Sequence, residues 1–151
     1  MDAPIHKHPS AILFMCRMNA VRSPMAEAVT KLMFPGKVYV RSCGVFAGDR
    51  DPFVDSVMEE LGVDMSEHTP KTYEDLAEDG FELVVTLAPE AHHMALELTR
   101  TQAVDVEYWP TLDPTLATGS RAQILDAYRG VRDTLKKRLL KRLDWHPQGV
   151  F

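Results

Sequence analysis

The residues with chemical potential are concentrated in one short segment, Cys16-Arg17-Met18-Asn19-Ala20-Val21-Arg22-Ser23-Pro24. This segment follows the apolar run 11–15 and precedes a helix-like stretch that starts near Met25. Ser23 and Pro24 predict the start of that helix, because serine is a preferred N-cap and proline suits the first helical position. A strand, a short loop and a helix N-terminus together present backbone N–H groups to an anion.

A cysteine and an arginine at the two ends of this loop indicate chemistry on that anion. A helix N-terminus and a nearby cation stabilise the thiolate, which is the nucleophilic form of cysteine, and the Ser23 hydroxyl can donate to it. The Arg22 guanidinium can bind two phosphoryl oxygens as a planar fork. The loop backbone can curl so that its N–H groups meet the remaining oxygens, and Asn19 tolerates the left-handed conformation this requires. The predicted phosphate-binding residues are Arg17, Met18, Asn19, Ala20, Val21, Arg22 and Ser23.

Length and composition predict one domain with a core of its own. The chain has 151 residues, of which 45% are hydrophobic and 26% charged. A net charge of -5 provides no basic field for nucleic acid or an anionic membrane, and no apolar run approaches the roughly 20 residues of a membrane span. The polar N-terminus and the 2 cysteines predict a reducing, cytoplasmic location. We expect a single domain over 1–151, with 1–10 and 145–151 flexible, and neither nucleic-acid nor membrane partners.

Strand-like runs alternate with helical stripes along the chain, which is typical of a parallel sheet covered on both faces. We therefore predict an α/β fold: a single three-layer domain with a four-stranded parallel sheet in the order 2-1-3-4. Ligands of such sheets bind at the carboxyl ends of the strands, which is where the cysteine loop leaves strand one. Asp51-Pro52 predicts a second capped helix start, and Ser120 with Gln123 predicts a capping box for the last helix. The predicted strands are 11–15, 37–41, 81–86 and 104–109.

The pattern Cys-x5-Arg-Ser-Pro-Met-Ala-Glu resembles the low-molecular-weight protein tyrosine phosphatase family, whose fold is shared by the thioredoxin-coupled arsenate reductases. The segment 41–45 resembles the second strand of that family, whose serine supports the cysteine loop; Ser42 holds that place here. Trp109 followed by Asp113-Pro114 resembles the late loop that carries the general acid of the family. The resemblance covers most of the chain.

The resemblance implies a phosphatase that works through a phosphocysteine and needs no metal or other cofactor. Cys16 would be the nucleophile, Arg22 would bind the phosphoryl group, and Asp113 would protonate the leaving oxygen and then activate water. General chemistry agrees, because a phosphoenzyme route needs an acid in its first step that serves as base in its second. The implied partner is a phosphate ester, either a phosphotyrosine protein or a small aryl phosphate.

Several positions depart from the family pattern. Met18 stands where the family usually has glycine, and Val21 where many phosphatases have a second cysteine. Phosphotyrosine selectivity in the family depends on aromatic walls, often tyrosine after Asp-Pro, whereas Thr115 and Leu116 follow here. The candidates for a substrate wall in this chain are Phe46, Tyr108 and Trp109.

The cysteine content leaves two alternative functions open. No cysteine follows Cys43, which argues against the intramolecular disulfide relay of arsenate reductases with this fold. An arsenate reductase that uses an external small thiol remains an alternative, as does a non-catalytic oxyanion-binding regulator whose pocket Met18 caps. Cys43 itself is either a core residue or a partner that pairs with Cys16 on oxidation.

Overall fold

Four parallel strands form the centre of the computed structural model, which describes residues 8–76 and 79–148. The strands are β1 (Ala11–Cys16), β2 (Tyr39–Gly44), β3 (Leu83–Thr86) and β4 (Asp105–Tyr108). The helices are α1 (Arg22–Met33), α2 (Pro52–Glu59), α3 (Pro89–Leu98) and α4 (Arg121–Arg142), with 3₁₀ turns at Tyr73–Leu76 and Pro114–Leu116. The sheet order is β2-β1-β3-β4, so the predicted α/β class and strand order are confirmed.

The central strand β1 is buried on both faces, which explains why its sequence is a continuous apolar run. Its alternate side chains enter two separate cores. Phe14 and Cys16 face the core built with α1, α2 and α4, whereas Leu13 and Met15 face the core built with α3. This alternation directs Cys16 towards the start of α1 at the carboxyl edge of the sheet.

The second strand is longer than the sequence predicted. The expected strand 37–41 is wrong at both ends, since β2 begins at Tyr39 and pairs with β1 as far as Gly44 opposite Cys16. The small polar residues that end β2 have weak strand propensity, but ladder hydrogen bonds to a fully buried neighbour outweigh that preference. The extension brings Ser42 and Gly44 beside the cysteine loop.

The predicted helix starts are confirmed at two places and wrong at one. Asp51 caps α2 by accepting from the Phe53 N–H at 2.9 Å, and Ser120 forms a capping box with Gln123. Helix α1, in contrast, begins at Arg22, so Ser23 lies inside its first turn rather than at the cap. The Ser23 hydroxyl instead contacts the cysteine sulfur, and no side chain caps this helix. Its first backbone N–H groups therefore lack a side-chain acceptor.

The described parts of the two ends pack against each other. The His8 ring stacks on Trp145 with centroids 4.7 Å apart, and Trp145 also contacts Phe34. The Gln148 N–H donates to the Met33 carbonyl at 2.6 Å. The remainder of the predicted flexible ends, 1–7 and 149–151, lies outside the described residues. No helix in the described ranges is long and apolar enough to cross a membrane.

Candidate active site

The Cys16 thiol lies at the base of the loop between β1 and α1 and is only 2% exposed. Its sulfur is 2.9 Å from the Ser23 hydroxyl oxygen, which is also 3.3 Å from the Cys43 carbonyl oxygen. A hydroxyl carries one proton, so Ser23 can donate it to a thiolate at Cys16 or to the carbonyl when the thiol is protonated. The same contact therefore serves both protonation states of the nucleophile.

Asn19 holds the bend of the loop. It is fully buried and adopts the left-handed conformation expected of it, with φ of 53°. Its side-chain amide donates to the hydroxyls of Ser23 and Ser42, both at 2.9 Å, and its Oδ1 accepts from the Lys71 backbone N–H at 3.0 Å. Each hydrogen-bonding group of this side chain is thus used, which offsets the cost of the strained backbone.

A buried carboxylate continues this chain of hydrogen bonds. Ser42 donates to Glu27 Oε1 at 2.6 Å, and Glu27 Oε2 accepts from Lys31 Nζ at 2.7 Å. Glu27 belongs to the family pattern quoted above, but sequence reasoning assigned it no role. The available signal was an acid on the otherwise apolar face of α1, four residues before a lysine.

His68 reaches the loop from the segment that follows α2. Its Nε2 lies 2.8 Å from the Asn19 carbonyl oxygen, and because a carbonyl can only accept, Nε2 carries the proton. Burial lowers the pKa of His68, so the ring is neutral at pH 7. No motif or periodicity in the sequence pointed to this residue, which only the chain fold brings to the loop.

Arg22 and Asp113 meet at the other side of the loop. Arg22 Nη1 donates to the Thr111 carbonyl at 3.1 Å, so the guanidinium is anchored to the connection 109–120 between β4 and α4, which carries Asp113 and is called the acid loop below. Asp113 Oδ1 accepts from the N–H and hydroxyl of Thr115, at 3.0 and 2.6 Å. Asp113 Oδ2 is 4.0 Å from Arg22 Nη2. One oxygen of this carboxylate therefore forms the turn, and the other faces the arginine.

These groups surround a cavity of about 320 Å³. The segment from Gly48 to Pro52 also lines the cavity, and Tyr128 of α4 holds this segment by donating to Asp51 Oδ2 at 2.6 Å. Met18 packs against Gly48, where a Cβ would come within 3.0 Å of the Met18 Cβ. The loop and acid residues that line the cavity are Cys16, Arg17, Met18, Ala20, Val21, Arg22, Asp113 and Thr115. Asn19, Ser23 and Ser42 support the loop from behind.

A larger cavity of about 770 Å³ lies behind the loop, between α1 and the segment that carries His68. Its lining includes Glu27, Arg41 and Lys71 but neither cysteine. The smaller cavity contains a thiol, a guanidinium and a carboxylate, and it is therefore the candidate active site.

The structure does not bring the three candidate wall residues together. Phe46 is half exposed beside the loop, with Arg17 Cζ 5.6 Å from its ring centroid. Tyr108 stacks on His92 with centroids 4.5 Å apart, and Trp109 is 4% exposed and packs in the core. Neither Tyr108 nor Trp109 lines the candidate active site.

Cys43 lies on the opposite face of the sheet from Cys16. It pairs with Met15 in the ladder and packs in the core on the α3 side, whereas Cys16 belongs to the core on the α1 side. Burial raises the pKa of Cys43, so its thiol stays protonated. Both cysteines are free, and Cys43 is a core residue.

A thiol at an uncapped helix start, an anchored guanidinium and a carboxylate around one cavity define a cysteine-dependent enzyme on a parallel α/β sheet. The family model for low molecular weight phosphotyrosine protein phosphatase matches residues 11–144. The chain belongs to this family, and the predicted resemblance is confirmed.

Similar proteins are named after two different activities, arsenate reduction and phosphotyrosine hydrolysis. The glutaredoxin arsenate reductase of Synechocystis sp. is 32% identical over 128 residues, which cover 85% of this chain and 92% of that protein. A solved arsenate reductase in the phosphate binding state is 30% identical, with a TM-score of 0.68 over 87% of this chain and 94% of the other. The low molecular weight protein tyrosine phosphatase from T. tengcongensis is 25% identical, with a TM-score of 0.69 over 88% and 99%. Phosphatases and arsenate reductases thus both occur among the chain's relatives.

Proposed function

We propose that this protein is a phosphomonoesterase that works through a phosphocysteine. The Cys16 thiolate attacks phosphorus, the bond from phosphorus to the leaving oxygen breaks, and Asp113 transfers its proton to that oxygen. The Asp113 carboxylate then takes a proton from water, which attacks phosphorus and displaces the Cys16 thiolate. The products are an alcohol or phenol and inorganic phosphate.

One observation carries this proposal: the nucleophile, Arg22 and Asp113 line a single cavity. Arg22 is held by Thr111, next to the loop that bears the acid, so the anion-binding cation and the proton donor have a common support. The N–H groups at the uncapped start of α1 add donors for the equatorial oxygens. Transfer of a phosphoryl group needs a nucleophile, an acid for the leaving oxygen and cations or N–H donors that neutralise the charge on its other oxygens.

The cysteine arrangement argues against reduction through a disulfide relay within the chain. Hydrolysis needs one thiol that is regenerated in every cycle, whereas reduction needs two further electrons. Cys43 cannot supply them through a disulfide, because it faces the opposite core and its thiol stays protonated. Cys16 and Cys43 are the two cysteines of the sequence.

The decisive experiment compares the two cysteine variants with p-nitrophenyl phosphate as substrate. Cys16→Ser should abolish turnover and keep measurable phosphate binding, while Cys43→Ala should keep turnover. Unchanged turnover in Cys16→Ser would refute the proposal. Phosphate binding by the wild type without turnover on a broad panel of aryl phosphates would favour an oxyanion-binding regulator instead.

A second variant tests the role of Asp113. Asp113→Asn should lose more activity with phenyl phosphate, a poor leaving group, than with p-nitrophenyl phosphate, since only the former needs a proton in the transition state. An equal loss with both esters would contradict the acid role.

Arsenate reduction with an external thiol is the second candidate, favoured by the printed names of the relatives. The Cys16 thiolate would displace water from arsenate, and an external thiolate would then attack the Cys16 sulfur. The electron pair of the arsenic–sulfur bond would leave with arsenic as arsenite, and a second external thiol would release Cys16 as the free thiol. Arsenate-dependent oxidation of glutathione or a glutaredoxin, lost in Cys16→Ser and kept in Cys43→Ala, would establish this activity.

A further inference from the structure

Two leucines of the acid loop are exposed on either side of Asp113. Leu112 is 83% exposed and Leu116 is 78% exposed, more than any other large hydrophobic residue in the described ranges. Neither leucine is needed to close a core. Apolar surface left open beside an active site is typical of a binding surface.

A groove of about 630 Å³ runs between these leucines and α4. Among its described lining residues, Asp113 alone is charged, and the lining is otherwise mostly apolar or small. On α4, the floor includes Ala127 and Gly130, and a Cβ placed at Gly130 would meet no atom within 4 Å. The absent side chain of this mid-helix glycine therefore leaves the groove open.

The groove adjoins the candidate active site. Asp113 lines both cavities, and the 3₁₀ turn Pro114–Leu116 separates them, with Thr115 on the catalytic side and Leu116 on the groove side. The segment 48–52, which also lines the active site, is charged, because it contains Asp49 and Arg50. A substrate with an apolar flank is therefore best accommodated over the turn.

We propose that this groove binds an apolar side chain that flanks the phosphorylated residue of a polypeptide substrate. The proposal rests on the phosphatase function above and specifies its substrate class. Alternate residues of an extended peptide lie about 7 Å apart on the same side, and a three-residue 3₁₀ turn is about 6 Å long. One peptide can therefore place its phosphate at Cys16 and a leucine two positions away in the groove.

The test uses matched phosphotyrosine peptides that carry leucine or serine two positions before or after the phosphorylated residue. With the wild-type protein, one of the leucine peptides should have a kcat/KM about tenfold above its serine counterpart, since one pocket for an apolar group discriminates on that order. Gly130→Leu should abolish this preference by filling the groove, and Gly130→Ala, the matched control, should largely keep it. Hydrolysis of p-nitrophenyl phosphate should be unchanged in both variants.

Leu112→Ser supplies an independent variant, because a side chain this exposed is not needed for folding. It should reduce the preference for leucine in the same peptide pair. Equal kcat/KM values for all peptides with wild type, or a preference that persists in Gly130→Leu, would overturn the proposal. A wild-type dimer that becomes a monomer in Gly130→Leu, measured by sedimentation, would assign the groove to a second copy and also overturn it.

Failure of the phosphatase function can be distinguished from failure of the groove proposal, because the two are measured by different assays. If p-nitrophenyl phosphate is not hydrolysed, that function fails, and the groove is then measured by calorimetric binding of the same phosphopeptides to Cys16→Ser. Tighter binding of a leucine peptide, lost in the Cys16→Ser, Gly130→Leu double variant, supports the groove. Equal affinity for all peptides refutes it.

Discussion

Gly44→Ala should disable the catalytic loop from a residue that carries no functional group. Gly44 lies opposite Cys16 in the ladder between β1 and β2. A Cβ there would lie 2.4 Å from the Phe46 carbonyl oxygen, 2.7 Å from the Asn19 nitrogen and 2.8 Å from the Met18 carbonyl carbon. All three are backbone atoms, so no side chain can rotate away, and the loop itself must move.

The size of this movement predicts the size of the effect. Ordinary contact begins near 3.4 Å, so the backbone at Asn19 would have to retreat by about 0.7 Å. Misplacing catalytic groups by about 1 Å can cost roughly 100-fold in rate, and overpacking typically costs about 1–3 kcal/mol of stability. We expect kcat/KM to fall at least about tenfold. We expect the free energy of unfolding to decrease by about 1–3 kcal/mol.

The assays are p-nitrophenyl phosphate hydrolysis and urea unfolding. Gly80→Ala is the matched control, because a Cβ at Gly80 meets nothing within 4 Å and its φ is not positive. The control should retain wild-type values in both assays. If Gly44→Ala keeps kcat/KM within twofold of wild type, the inference that backbone contact at Gly44 positions the loop is refuted.

Three further substitutions test the supports of the loop. Ser42→Ala removes the acceptor of one Asn19 amide N–H and the donor to Glu27 Oε1, and should cost about 1–3 kcal/mol in urea unfolding. His68→Gln should flatten the decline in the free energy of unfolding that occurs as pH falls below about 6.5. Burial in the folded state lowers the pKa of His68 below that of a histidine in the unfolded chain. At pH values below the unfolded pKa, the unfolded chain therefore binds a proton at this residue more strongly, and the folded state loses relative stability. Arg22→Lys should lower kcat/KM at least about 100-fold by removing the two-pronged donor.

Control variants accompany the serine and arginine substitutions, and a contrary result is defined for all three. Ser56→Ala, whose hydroxyl bonds only to the Pro52 carbonyl of its own helix, should change unfolding far less than Ser42→Ala; equal effects would contradict the network. An unchanged pH profile in His68→Gln, measured from pH 5 to 8, would show that this ring does not titrate with folding. Arg100→Lys, on an exposed residue of the surface paired with Glu97, is the control for Arg22→Lys, and similar losses would argue against a special role for Arg22.

Local patterns in the sequence were sufficient for the architecture and for the two ends of the cysteine loop. A continuous apolar run such as 11–15 can only be a buried element, and its alternation with helical stripes determines a parallel sheet. The spacing from Cys16 to Arg22 predicts an anion-binding loop, because the thiol, the guanidinium and the backbone N–H groups of such a loop all come from one continuous segment. The place of Asp113 beside this loop was predictable through the family pattern, because its Asp-Pro pair is also local.

Tertiary structure alone decided how that loop is supported. Glu27, His68 and Gly44 act on it through contacts between segments that are remote in sequence, and no local periodicity encodes such contacts. The same holds for Ser23, whose type predicts an N-cap but whose hydroxyl lies closer to the Cys16 sulfur. A side chain's type limits the bonds it can make, whereas the packing of the sheet and helices determines which of those bonds forms.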